Sequence, residues 1–327
     1  MTVLVTGGAG YIGSHMVAQL LEEGIETVVL DNLSSGNREA VLCEKFYEGD
    51  IRNTADLKRV FSENDIDSVI HFAASSLVGE SMSQPLKYYN NNVYGTSVLL
   101  DSMMTNNVKN LVFSSTAAVY GEVENIPITE KTTVNPRSPY GETKLAMEKM
   151  IHWASEASGF KYVSLRYFNA CGAHKSSRIG EWREYETHLI PIILKYSMGL
   201  RDSFNVFGDD YNTDDGTCIR DYIHVVDLVK AHTAALKYLK NGGVSDTFNL
   251  GIGNGFSVLE IIKASEKVVG KKIRYSVSGR RPGDPAVLIA SNEKAKKILG
   301  WENKITDLNE IIEDAWKFYQ THPNGYK

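Results

Sequence analysis

Tyr140 and Lys144 stand four residues apart in the stretch SPYGETK. On a helix that spacing puts a phenol and an ammonium on one face. A free phenol has a pKa near ~10, too high for a base at neutral pH. An ammonium roughly 5 Å away, at an effective dielectric of about 20, favours the phenolate by ~3 kcal/mol, or about 2 pKa units. The pair can then serve as a general base. The stretch SSTAAVYG at 114–121 adds a row of hydroxyls, Ser114, Ser115 and Thr116, with no acid beside them. Thr116 is a candidate for passing a substrate proton to Tyr140. The plainer alternative is a polar strand end whose hydroxyls are satisfied by backbone.

A phenol and hydroxyls without a carboxylate suit oxidation and reduction, which need a hydride carrier. The segment VLVTGGAGYIGSH carries Gly7, Gly8, Gly10 and Gly13. It fits both GxGxxG and GxxGxxG, follows an apolar β-branched run, and precedes a helical pattern. Glycines let the backbone approach a pyrophosphate, and the N–H groups around Gly10, Tyr11, Ile12 and Gly13 can donate to it at the helix N-terminus. Asp31 ends the next strand, where it can accept from the adenosine ribose hydroxyls. A carboxylate there repels a 2′-phosphate, and the residues that follow, Asn32, Leu33, Ser34 and Ser35, offer no arginine. NAD is favoured over NADP. Asp50 and Ile51 follow another strand, where the acid can meet the adenine amino group or be an ordinary surface turn residue.

These residues need a scaffold, and the first half of the chain supplies an alternation. Strand patterns at 2–7, 27–31, 46–50, 68–73, 110–115 and 162–169 are separated by helical patterns at 12–24, 55–64, roughly 84–106 and 140–159. Such alternation implies a parallel sheet covered on both faces, with ligands at the carboxyl ends of the strands. The fold class is α/β: a Rossmann-type doubly wound parallel sheet with a smaller C-terminal α/β substrate domain. The boundary is set at 1–170 for the NAD-binding domain and 171–327 for the smaller one, with later segments, about 220–250, able to return to the larger. Past residue 170 the loops lengthen, and helical patterns fall at about 188–198, 225–240, 257–269 and 306–320.

Composition excludes several classes. The 327 residues suffice for two unequal lobes. A net charge of −5 argues against a nucleic-acid binder. Cys43, Cys171 and Cys218 lie far apart and form no CxxC, so neither a disulfide framework nor a metal site is expected. No apolar run is long enough to span a bilayer, and MTVLVTGG leaves no room for a leader. A cytoplasmic protein is expected.

TGGAGYIG, SSTAAVYG, YGETK and YFN, in this order, resemble the extended short-chain dehydrogenase/reductase family. GTCIRDYIHVVDL (216–228) and RRPGDPA (280–286) narrow the resemblance to its nucleotide-sugar epimerases, over nearly the whole chain. The resemblance implies a catalytic group of Thr116, Tyr140 and Lys144. It implies nicotinamide-side contacts at Phe72, Ala73, Asn91, Ser114 and Tyr167. On the substrate side it implies Asn169, Arg220 and Arg281 at a nucleotide diphosphate, Asp284 at the uridine ribose, Phe207 at uracil, and His188 with Leu189 nearby. Two arginines suit a diphosphate, because guanidinium forks grip phosphate oxygens in pairs. A surface salt bridge, such as Arg220 with Asp221, is the alternative. The chain departs from the family at Ser76, where lysine is frequent, at His188, where some members have asparagine, and at Leu288, where others show tyrosine or cysteine.

The implied activity is an isomerase that interconverts UDP-galactose and UDP-glucose and has room for N-acetylated UDP-sugars. Relatives that remove water carry Asp-Glu after the threonine. Ala117 and Ala118 stand there instead, and methyl groups transfer no protons. A 4,6-dehydratase, a decarboxylase and a non-catalytic NAD-binding protein are the rival readings. The resemblance also implies a homodimer packed through the helices at about 84–106 and 140–159.

Overall fold

A computed structural model describes residues 1–281 and 284–327; residues 282 and 283 of the RRPGDPA segment lie outside the described residues. The chain opens with β1 (Thr2–Thr6), α1 (Tyr11–Glu22), β2 (Glu26–Asp31), β3 (Lys45–Glu48), α2 (Thr54–Glu63) and β4 (Ser68–His71). Next come α3 (Val78–Ser83), α4 (Pro85–Tyr88), a π-helical turn at Tyr89–Tyr94, α5 (Gly95–Thr105), β5 (Asn110–Ser114), α6 (Pro139–Ser158) and β6 (Lys161–Tyr167). Central strands such as VLV at 3–5 are buried on both sides and read as unbroken apolar runs.

The main sheet has seven strands in the order β11-β6-β5-β4-β1-β2-β3, where β11 is Asp246–Leu250. Every pairing in it is parallel. The strand order reverses at β1, which is flanked by β2 on one side and β4 on the other. A crevice opens at such a switch point, outside the carboxyl ends of the strands. Two apolar clusters cover the two faces, one including Met16, Leu20, Leu228 and Leu236, the other Leu57, Leu99, Met103 and Met147.

The second half begins with β7 (Asn169–Cys171), α7 (Leu189–Ser197), β8 (Asn205–Phe207), β9 (Ile219–Arg220), β10 (Tyr222–His224) and α8 (Val225–Lys240). After β11 follow β12 (Phe256–Ser257), α9 (Val258–Val269), β13 (Ser276–Ser278), β14 (Val287–Leu288), α10 (Glu293–Leu299) and α11 (Leu308–Thr321). Helix α8 packs on α1, and β11 adds to the main sheet beside β6. Between them the short pairs β10–β7, β13–β8 and β12–β9–β14 form a scaffold backed by α7, α9 and α11 around Ile193, Ile261, Ile311 and Phe318.

Two local features differ from the sequence pattern. The helical stretch at 84–106 is not one regular helix but contains the π turn at Tyr89–Tyr94. There Asn92 is fully buried; its Oδ1 accepts from Ser75 N at 2.8 Å and its Nδ2 donates to Ser75 O and to Thr143 Oγ1, both at 3.1 Å. A widened turn beside a side chain so committed is a common mark of a functional site. Helix α10 has too short a run to stand out by periodicity. No described helix is long and apolar enough to cross a membrane. All three cysteines are free and buried.

Candidate active site

The glycine turn between β1 and α1 is packed tightly. Gly7 has φ +77°, a region open to glycine, and a Cβ on it would lie 2.6 Å from Ala73 N. A Cβ on Gly13 would lie 2.9 Å from the Gly7 carbonyl carbon and overlap its oxygen. Helix α1 starts at Tyr11 with Gly10 before it, no side-chain cap, and no acid in its first turn. Its N-terminal donors and partial positive charge are free to meet an anion. Asp31 Oδ2 accepts from Ala9 N at 2.9 Å and Oδ1 from Leu33 N at 2.8 Å. Burial pushes its pKa up, against those two bonds. Asn32 Nδ2 donates to Asp50 Oδ2 at 2.9 Å, so the two candidate adenosine-side residues form one unit. Arg52 also grips Asp50, with Nε 2.9 Å from Oδ1, and holds its carboxyl well below the usual range. Ile51 is buried, against Gly95 of α5. This cradle fits a dinucleotide: a turn that admits no Cβ, an uncapped helix start, and a carboxylate beyond it.

Phe72 and Ala73 follow β4, and both N–H groups donate to Thr6 O, at 2.9 and 3.1 Å. Asn91, in the π turn, donates to Asn92 Oδ1 at 3.0 Å. Ser76 is exposed. Tyr167, at the end of β6, shares a 2.5 Å hydrogen bond with Ser114 Oγ at the end of β5. Of the nicotinamide-side candidates, Phe72, Ala73, Ser114 and Tyr167 thus lie at the carboxyl ends of β4, β5 and β6, and Asn91 lies in the π turn.

Helix α6 carries Tyr140 and Lys144 in its first two turns. Ser138 caps it, accepting from Gly141 N at 3.2 Å, and Pro139 opens it. The Tyr140 ring meets Tyr88 edge-on, centroids 6.4 Å apart. Lys144 is 2% exposed, and its Nζ donates to Ser114 O at 2.7 Å and lies 5.0 Å over the Phe113 ring. Here the structure revises the electrostatic expectation. Burial pushes Lys144 down to about 7 and pushes the Tyr140 phenol up. What draws the phenol back is a hydrogen bond from Thr116 and the charge of Arg183. Spacing placed both groups on one helix face, but it could not reveal that drying the site disfavours both charged forms. Thr116 Oγ1 accepts from Ala118 N at 3.1 Å, which leaves its proton free for the phenolate.

On the substrate side, Arg220 pairs with Asp284 and not with its neighbour Asp221. Its NH2 also donates to Pro285 O at 2.8 Å and its NH1 to Ile219 O at 2.7 Å. Asp221 is buried, accepts from the N–H groups of Ile252, Gly253 and Ala290, and is pushed up by burial to about 6. The pairing with Asp221 named as the alternative is not formed; the salt bridge that Arg220 makes is with Asp284. The Arg281 guanidinium lies 4.1 Å over the Phe207 ring. Leu288 pairs in register with Arg220 and packs against Val119, Tyr120, Ile128 and Leu145, the hydrophobic cluster under SSTAAVYG. Asn169 N donates to Asp221 O at 3.0 Å, which fixes β7 beside β10.

His188 precedes α7, whose first residue is Leu189, and its Nδ1 lies 2.6 Å from Glu181 Oε1. Burial works against the imidazolium, yet Glu181 holds its pKa above the ordinary value. Glu181, Glu186 and His188 are the one cluster of potential metal ligands among the described residues. Arg183, 3.4 Å from Glu181, and Lys195 already bring positive charge to it, so it reads as an ion-pair network.

Sequence reasoning missed Asn92, Arg183 and Arg52. Arg183 stands out only as a base among acids in GEWREYE. Asn92 is one of three consecutive asparagines, and only packing tells them apart.

The chain is similar to known proteins along its whole length. The UDP-glucose 4-epimerase of Halalkalibacterium halodurans is 55% identical over 326 residues, covering 100% of this chain and 98% of that protein. A crystal structure of a UDP-glucose 4-epimerase matches with TM-score 0.98 and 54% identity over 100% of both chains. That of the Bifidobacterium longum enzyme, in complex with NAD+ and UDP, matches with TM-score 0.94 and 43% identity over 99% of this chain and 100% of that one. Residues 3–251, from β1 through β11, carry the signature of the NAD dependent epimerase/dehydratase family, and the chain belongs to that family.

Proposed function

We propose that this chain is an NAD-dependent isomerase that interconverts UDP-galactose and UDP-glucose by oxidation and re-reduction at sugar C4. The observation that carries the mechanism is Tyr140 and Lys144 on α6, with Lys144 held on Ser114 O, next to a dinucleotide cradle, with methyl groups at Ala117 and Ala118 where elimination would need acids. Gly7, Gly10, Tyr11, Ile12 and Gly13 receive the pyrophosphate. Asp31 and Asn32 take the adenosine ribose, and Asp50 and Ile51 lie at adenine. Phe72, Ala73, Asn91, Ser114, Lys144 and Tyr167 surround the nicotinamide end. When bound, NAD supplies the acceptor for the C4 hydride and a positive charge beside the phenol.

Tyr140 takes the 4-hydroxyl proton and later returns it, with Thr116 holding the phenolate or relaying the proton. Arg220 and Arg281, with Asn169, clamp the diphosphate; Asp284 and Phe207 hold the uridine. In this reading Asp284 exchanges its Arg220 partner for ribose hydroxyls when substrate binds. His188 and Leu189 border the sugar. The charged clamps hold the nucleotide, and the charges beside the sugar, at His188 and Arg183, are already paired with Glu181, so the 4-keto intermediate can turn over and present its other face.

The test is incubation of purified protein with UDP-galactose and no added cofactor. The expected outcome is UDP-glucose of unchanged mass, with NAD released on denaturation; a product lighter by water or carbon dioxide overturns the reading. Leu288 is smaller than tyrosine and leaves room for an acetamido group, so UDP-N-acetylgalactosamine is turned over in the same assay, more slowly. Absence of that activity removes this part.

The same reading makes the chain a cytoplasmic homodimer. Leu86, Tyr89 and Tyr94 on the α4–α5 stretch and Trp153 on α6 are exposed apolar residues on the two helices in question. A monomeric mass in sedimentation, or recovery outside the cytoplasm, would count against it.

A further inference from the structure

Lys144 is held in a dry site with no carboxylate touching it. Its hydrogen-bond partner is the Ser114 carbonyl, and its other close neighbour is the Phe113 ring. One helical turn further along α6 is Glu148, 9% exposed. Its Oε1 accepts from Ser115 Oγ at 2.5 Å and from Arg166 Nε at 2.9 Å, and its Oε2 accepts from Arg166 NH2 at 2.5 Å. Arg166 continues through NH1 to Tyr120 OH at 3.0 Å, and Tyr120 OH donates to Asn249 Oδ1 at 2.7 Å. This buried chain ties α6 to the ends of β5, β6 and β11. The ends of β5 and β6 carry Ser114 and Tyr167, placed above at the nicotinamide side.

We propose that Glu148 is a positioning residue for the reaction: its carboxylate anchors the Ser114–Thr116 strand end and supplies the negative charge that keeps the Lys144 ammonium ionised. The proposal rests on Lys144 acting in catalysis. Several other titratable groups surround this lysine. His71 on β4 is held between Thr6 and Thr96 and driven by burial to about 3, so it is neutral. Tyr140 on the same helix and Tyr167 at the end of β6 are pushed up by burial and are neutral in the free protein. Arg166 is cationic and opposes the lysine's charge. Glu148 is the anion among them, and its field favours the Lys144 proton against burial.

The experiment is the pH profile of kcat, with thermal midpoint and bound NAD measured alongside. Wild type is compared with Glu148→Gln and Glu148→Asp. Without the carboxylate, the Lys144 proton leaves at lower pH, so activity that needs the ammonium is lost earlier on the alkaline side. Glu148→Gln is expected to move the alkaline limb down by about one pH unit, with KM changed less than twofold. Glu148→Asp keeps the charge and leaves the limb in place, although it loosens the same bonds. A fall in rate and thermal midpoint with the limb unmoved in Glu148→Gln would reduce Glu148 to a structural role and overturn the proposal. Should Glu148→Gln not fold, the Glu148→Gln/Arg166→Met double variant buries no lone cation and is held to the same shift, in smaller size. Lys144→Met separates the two readings: retained turnover there removes Lys144 from catalysis, whatever Glu148 does.

Discussion

Tyr140→Phe lowers turnover of UDP-galactose by ~10³-fold or more while leaving bound NAD and the thermal midpoint unchanged. The magnitude is that of a general base, ~10²–10⁴. It lies at the upper end because the same oxygen must take the proton and give it back. Phenylalanine keeps the ring and its edge-on contact with Tyr88. The phenol oxygen makes no bond to backbone among the described residues, and Thr116 is the neighbouring hydroxyl that favours its charged form. Removing that oxygen costs the buried Thr116 hydroxyl one partner, but that hydroxyl still accepts from Ala118 N, so the loss falls chiefly on chemistry and not on the fold. Turnover and NAD released on denaturation are measured on the same preparation. A rate within tenfold of wild type would assign proton transfer to another group, with Thr116 the first to test.

That contrast between chemistry and fold also marks what could be read from the residues alone. The cofactor end is local. Gly7, Gly10, Gly13 and Asp31 lie within one strand–helix–strand unit, so their types and spacing carry the geometry with them. The alternation of buried runs and helical periods foretells a parallel sheet, and the seven strands follow it. The substrate end is not local. Arg220 meets Asp284 across 64 positions, through β9 and β14 pairing in parallel, and nothing in either neighbourhood announces the partner. The resemblance to a family supplied those residues where spacing could not. Glu148 and Arg166 were silent for the same reason. A Glu in a helix and an Arg in a strand are ordinary until packing buries them together. The Tyr140–Lys144 pair lies between these cases. Its spacing correctly placed both groups on α6, but the direction of the Lys144 amine depends on where β5 ends, and the cost of burying its charge depends on what β4, β5 and β6 exclude.

Gly13→Ala tests the local end at its tightest point. The added Cβ would overlap the Gly7 carbonyl oxygen and lie 2.9 Å from both the Gly7 carbonyl carbon and Gly8 Cα. These are backbone atoms, so no side chain can swing aside. The turn cannot retreat either, because Gly7 rests on the backbone of Ala73 at the end of β4. Something must shift by several tenths of an ångström, and overpacking of this kind costs about 1–3 kcal/mol. The displaced groups are the N–H donors at the start of α1, and displacement by that amount weakens each bond to a pyrophosphate. We expect affinity for NAD to fall at least ~100-fold, about 3 kcal/mol. The protein should purify without cofactor and be inactive unless NAD is added, and its thermal midpoint should drop by a few degrees. Gly79→Ala is the control: no atom lies within 4 Å of its Cβ position and its φ is not in the left-handed region, so cofactor content and stability should match wild type. NAD copurifying with Gly13→Ala at the wild-type stoichiometry would mean that the glycine turn is not what grips the pyrophosphate.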